Sequence, residues 1–247
     1  MNPVLAVIGG TGLYRLAGLE GATRHAVDTP FGAPSDAVVT GRLGGQPLAF
    51  LARHGEAHAL APHRVNYRAN LWALHQVGVR RVVGVNAVGG IRSDMGPRAV
   101  VVPDQLIDYT WGRAGSYCDA EGAEVRHIDF SEPYSAGLRR RLLDAARAAG
   151  VAVVDGGCYA ATQGPRLETR AEVERLRRDG CDLVGMTGMP EAALARELEL
   201  EYACLALVAN WAAGCGGVAE ISLPEIFANL EAATAAVPRI LAALPQG

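Results

Sequence analysis

Short polar segments follow apolar runs in this sequence, and their residue types suit an anionic ligand. The segment Ile8-Gly9-Gly10-Thr11-Gly12 closes the first apolar run. Its backbone N–H groups and the Thr11 hydroxyl could converge on a phosphate. It is not a dinucleotide fingerprint, because Arg15 stands where a further glycine is needed, and no Gly-Lys-Ser/Thr follows as in a P-loop. A simple tight turn is an equally good interpretation of this segment alone.

A second segment, Arg53-His54-Gly55, follows the apolar run 48–52. Arginine offers a rigid fork of donors that matches a phosphate, and His54 adds another donor. Three more basic side chains lie nearby in a protein of net charge −3: His58, His63 and Arg64. They favour anion binding over the alternative of a surface arginine with an incidental histidine.

Two further segments come directly after predicted strands. Asn86-Ala87-Val88-Gly89-Gly90 follows residues 81–85, and Met186-Thr187 follows residues 183–185. Ligands of open α/β sheets bind beyond the carboxyl ends of strands, so a loop at 86–90 is well placed. Thr187 precedes a predicted helix, where a hydroxyl and N–H groups attract anions. An ordinary N-cap role for Thr187 is compatible with that interpretation.

Two polar residues lie beside predicted elements that contribute apolar side chains to the core. Glu168 comes just before a predicted helix, where a negative charge also interacts favourably with the helix dipole. Asn210 follows the most apolar predicted strand and precedes a glycine-rich loop, so it could equally be a turn residue. Both are candidates for contact with a substrate.

Apolar runs alternate with helical patterns along the chain. Runs without polar interruption, such as 205–208, are typical of strands covered by helices on both faces. Predicted strands are residues 4–8, 37–41, 48–52, 81–85, 99–102, 151–157, 183–185 and 203–209. Predicted helices are residues 66–76, 135–149, 169–178, 190–200 and 223–244. The alternation predicts one three-layer α/β/α domain over residues 1–247, with a long and therefore functionally interesting loop at 110–132.

Composition limits the class of protein. Half of the 247 residues are apolar and 20% are charged, as in a well-packed globular chain. The net charge of −3 argues against the basic surface that nucleic-acid-binding proteins have. We find neither a signal peptide nor an apolar stretch of about 20 residues, so we expect a cytoplasmic protein without a membrane partner. The scattered cysteines and histidines lack the spacings of a disulfide framework or a metal site.

Taken in order, these segments resemble the trimeric purine nucleoside phosphorylase family, and most closely its methylthioadenosine/methylthioinosine branch. The resemblance covers nearly the whole chain and is strengthened by Asp28-Thr29-Pro30-Phe31-Gly32, Val65-Asn66-Tyr67-Arg68-Ala69-Asn70 and Gly164-Pro165-Arg166. It implies a mixed central sheet, partly closed into a barrel and flanked by helices. It also implies a homotrimer that uses a purine nucleoside and inorganic phosphate, with neither a metal nor an organic cofactor.

The resemblance also implies roles for individual residues. Phosphate is expected at Thr11, Arg53, His54, Asn86, Ala87 and Thr187, although Asn86 stands where methylthioadenosine phosphorylases usually have threonine. The nucleoside is expected at Met186, Leu167, Glu168, Asn210 and Ala212. His127 matches a residue that such trimers place in the 5′-pocket of the neighbouring subunit.

Asn210 and Glu168 indicate a 6-oxopurine base. Adenine-specific relatives carry an aspartate in place of Asn210, whereas an amide can accept from N7–H and donate to a 6-oxo group. An ionised Glu168 can accept from N1–H, which hypoxanthine has and adenine lacks. Relatives that act on aminopurines tend to have a second aspartate at the position of Ala212. Asn210, Glu168 and His54 are therefore the predicted catalytic residues.

The segment after Asn210 predicts an apolar 5′-pocket. Inosine and guanosine phosphorylases place a polar donor there, whereas this chain has Val218, Ala219, Ile221 and Leu223. We therefore expect phosphorolysis of S-methyl-5′-thioinosine to hypoxanthine and 5-methylthioribose 1-phosphate. The alternatives are an inosine/guanosine phosphorylase, a methylthioadenosine phosphorylase, and a binding module without chemistry.

Overall fold

The structure, a computed structural model, describes residues 4–119, 122, 124–217 and 220–245. Its strands are β1 Leu5–Gly9, β2 Glu20–His25, β3 Val38–Leu43, β4 Gln46–Ala52, β5 Arg81–Gly90, β6 Val100–Val102, β7 Gln105–Asp108, β8 Val154–Asp155, β9 Cys158–Ala161, β10 Leu183–Gly185 and β11 Glu201–Trp211. Its helices are α1 Tyr67–Gln76, α2 Ala136–Ala148, α3 Arg170–Arg178, α4 Glu191–Glu197, α5 Leu223–Thr234 and α6 Ala236–Ala242. These strands form one mixed sheet.

The sheet is built around two long parallel strands, β5 and β11, which pair along nearly their whole length. On the other edge of β5, β1 pairs in parallel with Arg81–Gly84 and β10 pairs antiparallel with Gly89 and Gly90. The carboxyl ends of β1 and β10 therefore point towards each other across the middle of β5. Beyond β10, strands β9 and β7 continue the sheet in parallel.

Both faces of the sheet are covered, as the continuous apolar runs predict. One buried cluster contains side chains of α1 and α4, including Leu71 and Leu194. The other contains side chains of α2, α5 and α6, including Leu138, Leu230 and Ile240. The predicted mixed sheet between helical layers is confirmed, although the described strands branch at β5 and do not close into a complete ring. No helix in the described part of the chain is long and apolar enough to cross a membrane.

Three predicted helix starts are confirmed by their caps. The side chains of Asn66, Ser135 and Thr169 each accept a hydrogen bond from a backbone N–H in the first turn of α1, α2 and α3. Thr169 and Glu172 form a reciprocal capping box. The single helix predicted at 223–244 is instead two helices, since Pro238 has no N–H to bond back to the preceding turn.

Two predictions about strand ends are wrong. Asn86–Gly90 is not a loop, because pairing with β11 and β10 continues β5 through Gly90. Asn210 lies inside β11 rather than after it, beside a shift of register between Val208 and Asn210. Such a shift re-aims side chains locally. Strands β2, β7 and β9 were not predicted, and the predicted strand 151–157 shortens to β8.

Candidate active site

A cavity of about 510 Å³ opens where β1 and β10 end against β5 and β11. Nine of the twelve predicted site residues line it: Thr11, His54, Ala87, Leu167, Glu168, Met186, Thr187, Asn210 and Ala212. Residues from widely separated stretches of sequence are thus brought to one place. Arg53, Asn86 and His127 are not part of the lining, and the reason differs for each.

Asn86 lies behind the cavity wall and acts on it through Thr187. Its side chain is fully buried in β5, and Nδ2 donates to Thr187 Oγ1 at 2.7 Å. Its Oδ1 accepts from the Cys204 thiol at 3.4 Å. Because the Thr187 oxygen accepts from Asn86, its own hydroxyl hydrogen is directed elsewhere and can donate into the cavity. Pro190, rather than Thr187, is the N-cap of α4.

Arg53 is fully buried, and most of its donors bond within the protein. Its Nε and Nη2 donate to the two carboxylate oxygens of Glu191 at 2.7 and 2.8 Å, and Nη1 donates to the Val85 carbonyl at 2.8 Å. Tyr202 donates a further hydrogen bond to Glu191 at 2.8 Å. Burial alone lowers the pKa of Arg53, but the Glu191 carboxylate more than offsets this and raises it. The arginine thus stays charged and already has a counter-ion.

His54 lines the cavity as a neutral imidazole. Burial, with the Arg53 cation close by, lowers the pKa of His54 to about 4. Its Nδ1 lies 2.7 Å from the Leu60 carbonyl oxygen, and a carbonyl can only accept, so Nδ1 carries the hydrogen. Nε2 is consequently an acceptor near pH 7. The sequence-based expectation of a second donor beside Arg53 therefore differs from the structure.

Two polar side chains of the cavity lining are held in fixed orientations. Asn210 Nδ2 donates to the Trp211 carbonyl at 2.7 Å, which determines which end of the amide is nitrogen. Its Oδ1 and second N–H remain for a ligand. The Glu168 carboxylate accepts from the Thr162 hydroxyl at 2.6 Å through Oε1. The other carboxylate oxygen is therefore available to accept from a bound ligand.

Part of the cavity lining is apolar. It consists of side chains of helix α5 and of the residues just before it: Ile221, Leu223, Ile226, Phe227 and Leu230. Leu223 and Phe227 are also 62% and 56% exposed, so the mouth of the cavity is apolar and open. Val218 and Ala219, which the sequence also placed here, lie outside the described residues. Among the described residues, no cluster of His, Cys, Asp and Glu is suited to hold a metal.

Comparison with known proteins identifies the family. Residues 4–244 match the family model described as Phosphorylase superfamily. The chain belongs to this superfamily. The phosphorylase is 60% identical, over 98% of its length and 97% of the relative's, to a probable S-methyl-5′-thioinosine phosphorylase of Xanthomonas campestris pv. campestris. It is 47% identical, over 86% of its length and 80% of the relative's, to a probable 6-oxopurine nucleoside phosphorylase of Thermococcus kodakarensis.

A solved structure extends this likeness to three dimensions. A methylthioadenosine phosphorylase from Schistosoma mansoni in complex with adenine superposes with a TM-score of 0.92. It is 30% identical to this phosphorylase, and the match covers 98% of this chain and 90% of that one.

Sequence reasoning missed several residues that shape the site of this phosphorylase. Thr162 orients Glu168, yet nothing in its local sequence signals that role. Glu191 is the buried counter-ion of Arg53, and sequence reasoning did not identify it. His127 lies on an exposed segment away from the cavity of its own chain.

Proposed function

We propose that this chain catalyses the phosphorolysis of S-methyl-5′-thioinosine to hypoxanthine and 5-methylthioribose 1-phosphate. The observation that carries the proposal is that Asn210 and Glu168 line one cavity together with the apolar side chains of α5 and of the residues just before it. The amide and the carboxylate match a 6-oxopurine, and the apolar side chains match a methylthio group. The name of the Xanthomonas relative supports the same substrate. As a nucleoside phosphorylase, the enzyme is a pentosyltransferase.

Inorganic phosphate is proposed to bind near Thr11, Ala87, His54 and Thr187, where β1 and β10 end against β5. Thr187, oriented by Asn86, donates a hydrogen bond to a phosphate oxygen. Neutral His54 accepts one from the phosphate hydroxyl, which phosphate carries in both of its main forms near pH 7. Arg53 acts from behind this wall, where it fixes the carboxyl end of β4 against α4.

The reaction we propose proceeds by displacement at C1′ without a covalent enzyme intermediate. The N-glycosidic bond lengthens, positive charge develops on the ribose, and the phosphate dianion stabilises this charge before it bonds to C1′. The bonding electrons leave with the base. The base gains a proton at N7, and hydrogen phosphate loses one as it becomes the dianionic sugar phosphate, so protons and charge balance. The Asn210 oxygen accepts a hydrogen bond from this N7–H, so it stabilises charge that develops only in the transition state. Met186 lies along the ribose.

Phosphate dependence tests this reaction directly. Purified protein treated with a chelator should release hypoxanthine from S-methyl-5′-thioinosine when phosphate or arsenate is added. In phosphate-free buffer the rate should fall to background, because the proposed nucleophile is missing. Release of base at equal rates with and without phosphate would identify a hydrolase instead, and loss of activity with the chelator alone would indicate a metal requirement.

We also propose that the active species is a homotrimer in which His127 of one subunit completes the 5′-end of its neighbour's cavity. The exposed Leu223 and Phe227 at the cavity mouth support this idea, because an apolar rim of this kind is suited to a covering segment. Sedimentation of the enzyme under assay conditions should give a trimer. A fully active monomer would contradict the shared site.

A further inference from the structure

The long loop that follows β7 places one arginine between the loops that carry the site. Arg113 Nη1 donates to the carbonyl oxygens of Met186 and Met189 at 2.8 and 2.6 Å. Its Nη2 donates to the carbonyls of Thr162 and Gln163 at 3.2 and 2.9 Å. Its Nε donates to the Gln163 side chain at 3.2 Å. One guanidinium thus bonds to four backbone carbonyls on two separate loops.

The loops that Arg113 joins lie side by side because of the order of the strands that precede them. Strands β10, β9 and β7 are parallel neighbours, so the loops after them leave the sheet at the same edge. The loop after β10 carries Met186 and Thr187 at the proposed ribose and phosphate positions, and the loop after β9 carries Glu168 at the proposed base position. Arg113, on the loop after β7, has a side chain that bonds to both.

Arg113 also reaches a third wall of the cavity. Its Nη1 lies 3.3 Å from the Tyr67 hydroxyl, which donates to the Pro62 carbonyl at 2.9 Å. Pro62, like His54, lines the cavity. Every acceptor named for Arg113 is neutral, whereas Arg53 bonds to a carboxylate. The planar guanidinium of Arg113 therefore holds its acceptors at fixed relative positions, and the ammonium group of a lysine could not reproduce this arrangement.

We propose that Arg113 is a positioning residue that locks the loop of Met186 and Thr187 to the loop of Glu168, so that phosphate, ribose and base keep the spacing that phosphorolysis requires. The inference rests on the proposed function, since the spacing matters only if these loops hold the two substrates. A misplacement of about 1 Å at a distance from the reacting atoms can cost about 100-fold in rate.

The test compares Arg113→Met and Arg113→Lys with the wild type and with Arg147→Met as a matched control. Arg147 lies on the exposed face of α2, where it pairs with Asp144. Arg113→Met should lower kcat on S-methyl-5′-thioinosine by about 100-fold, with each KM changed far less, because alignment is lost rather than a binding contact. Arg113→Lys should recover only part of the loss, and Arg147→Met should match the wild type.

Hydrogen exchange provides a readout that does not depend on activity. Backbone amides of residues 162–168 and 186–189 should exchange faster in Arg113→Met and in Arg113→Lys, while β1 and β5 remain protected. Unchanged exchange in both loops, a kcat within threefold of wild type, or a loss confined to KM would each overturn the inference. If Arg113→Met fails to fold, Arg113→Lys decides by the same criteria. A wild type inactive on the nucleoside would instead contradict the proposed function, while the exchange result would still test Arg113.

Discussion

Replacement of Arg53 by alanine is expected to destabilise the folded protein by about 3–5 kcal/mol, because it leaves the Glu191 carboxylate buried without its counter-ion. Neither side chain is exposed to solvent, and two hydrogen bonds join the guanidinium to the carboxylate. Tyr202 alone would remain to stabilise the carboxylate. The free energy of unfolding, from urea denaturation at one fixed protein concentration, measures this loss.

The double variant Arg53→Met/Glu191→Leu is the informative control. Replacing a buried ion pair by apolar side chains of similar volume is often neutral or stabilising, so the double variant should regain most of the lost stability. Arg147→Ala, which removes an exposed arginine, should change stability by less than about 0.5 kcal/mol. If Arg53→Ala instead kept wild-type stability and needed far more phosphate, Arg53 would be a direct phosphate contact, as the family resemblance implies.

The sheet and most helices could be predicted because their signals are local. Continuous apolar runs predicted β1, β4, β10 and the core of β11, and capping residues predicted where α1, α2 and α3 begin. Strand β2 gave no such signal, since five of its six residues are exposed and it is a strand through pairing with β3. Residues 86–90 are likewise a strand because of pairing. Their polar and glycine residues suggest a loop, whereas pairing with β11 makes them part of β5.

The candidate site was predictable as a set of residues but not as a set of contacts. Strand ends and polar residue types made Thr11, His54, Thr187 and Asn210 candidates one by one, and the family resemblance implied that they share one site. The partner of Arg53 lies 138 residues further along the chain, and only the fold brings the two together. A buried arginine and a phosphate-binding arginine look alike in sequence. Only the fold, which brings Glu191 of α4 to Arg53 after β4, distinguishes the two.

The largest effect is expected at the base. Wild-type enzyme should prefer S-methyl-5′-thioinosine to S-methyl-5′-thioadenosine in kcat/KM by up to about 10⁴-fold, because the wrong base leaves buried polar groups unpaired. Asn210 offers an acceptor for N7–H and a donor for the 6-oxo group. A 6-amino group would oppose that donor, and the unprotonated N1 of adenine would face the Glu168 carboxylate, which Thr162 holds in place.

Asn210→Asp should shift this preference towards the 6-amino base, since a protonated carboxyl can donate to N7 while its other oxygen accepts from the amino group. The structure gives two reasons for an incomplete shift. The Trp211 carbonyl, 2.7 Å from Nδ2 of Asn210, competes for the carboxyl hydrogen, and Glu168 still opposes adenine N1. The double variant Asn210→Asp/Glu168→Gln removes the second obstacle and should move the preference further.

The 5′-group provides an independent comparison on the same enzymes. Inosine should react more slowly than S-methyl-5′-thioinosine. On the proposed binding mode its 5′-hydroxyl meets the apolar part of the lining, which includes Ile226 and Phe227, at a cost of about 1–3 kcal/mol. The measurement is kcat/KM for the three nucleosides on wild type, Asn210→Asp and the double variant. If wild type used S-methyl-5′-thioadenosine best, the assignment of the base would be wrong. If inosine and S-methyl-5′-thioinosine had equal kcat/KM, the assignment of a 6-oxopurine base would stand. The enzyme would then be a 6-oxopurine nucleoside phosphorylase without preference for the methylthio group.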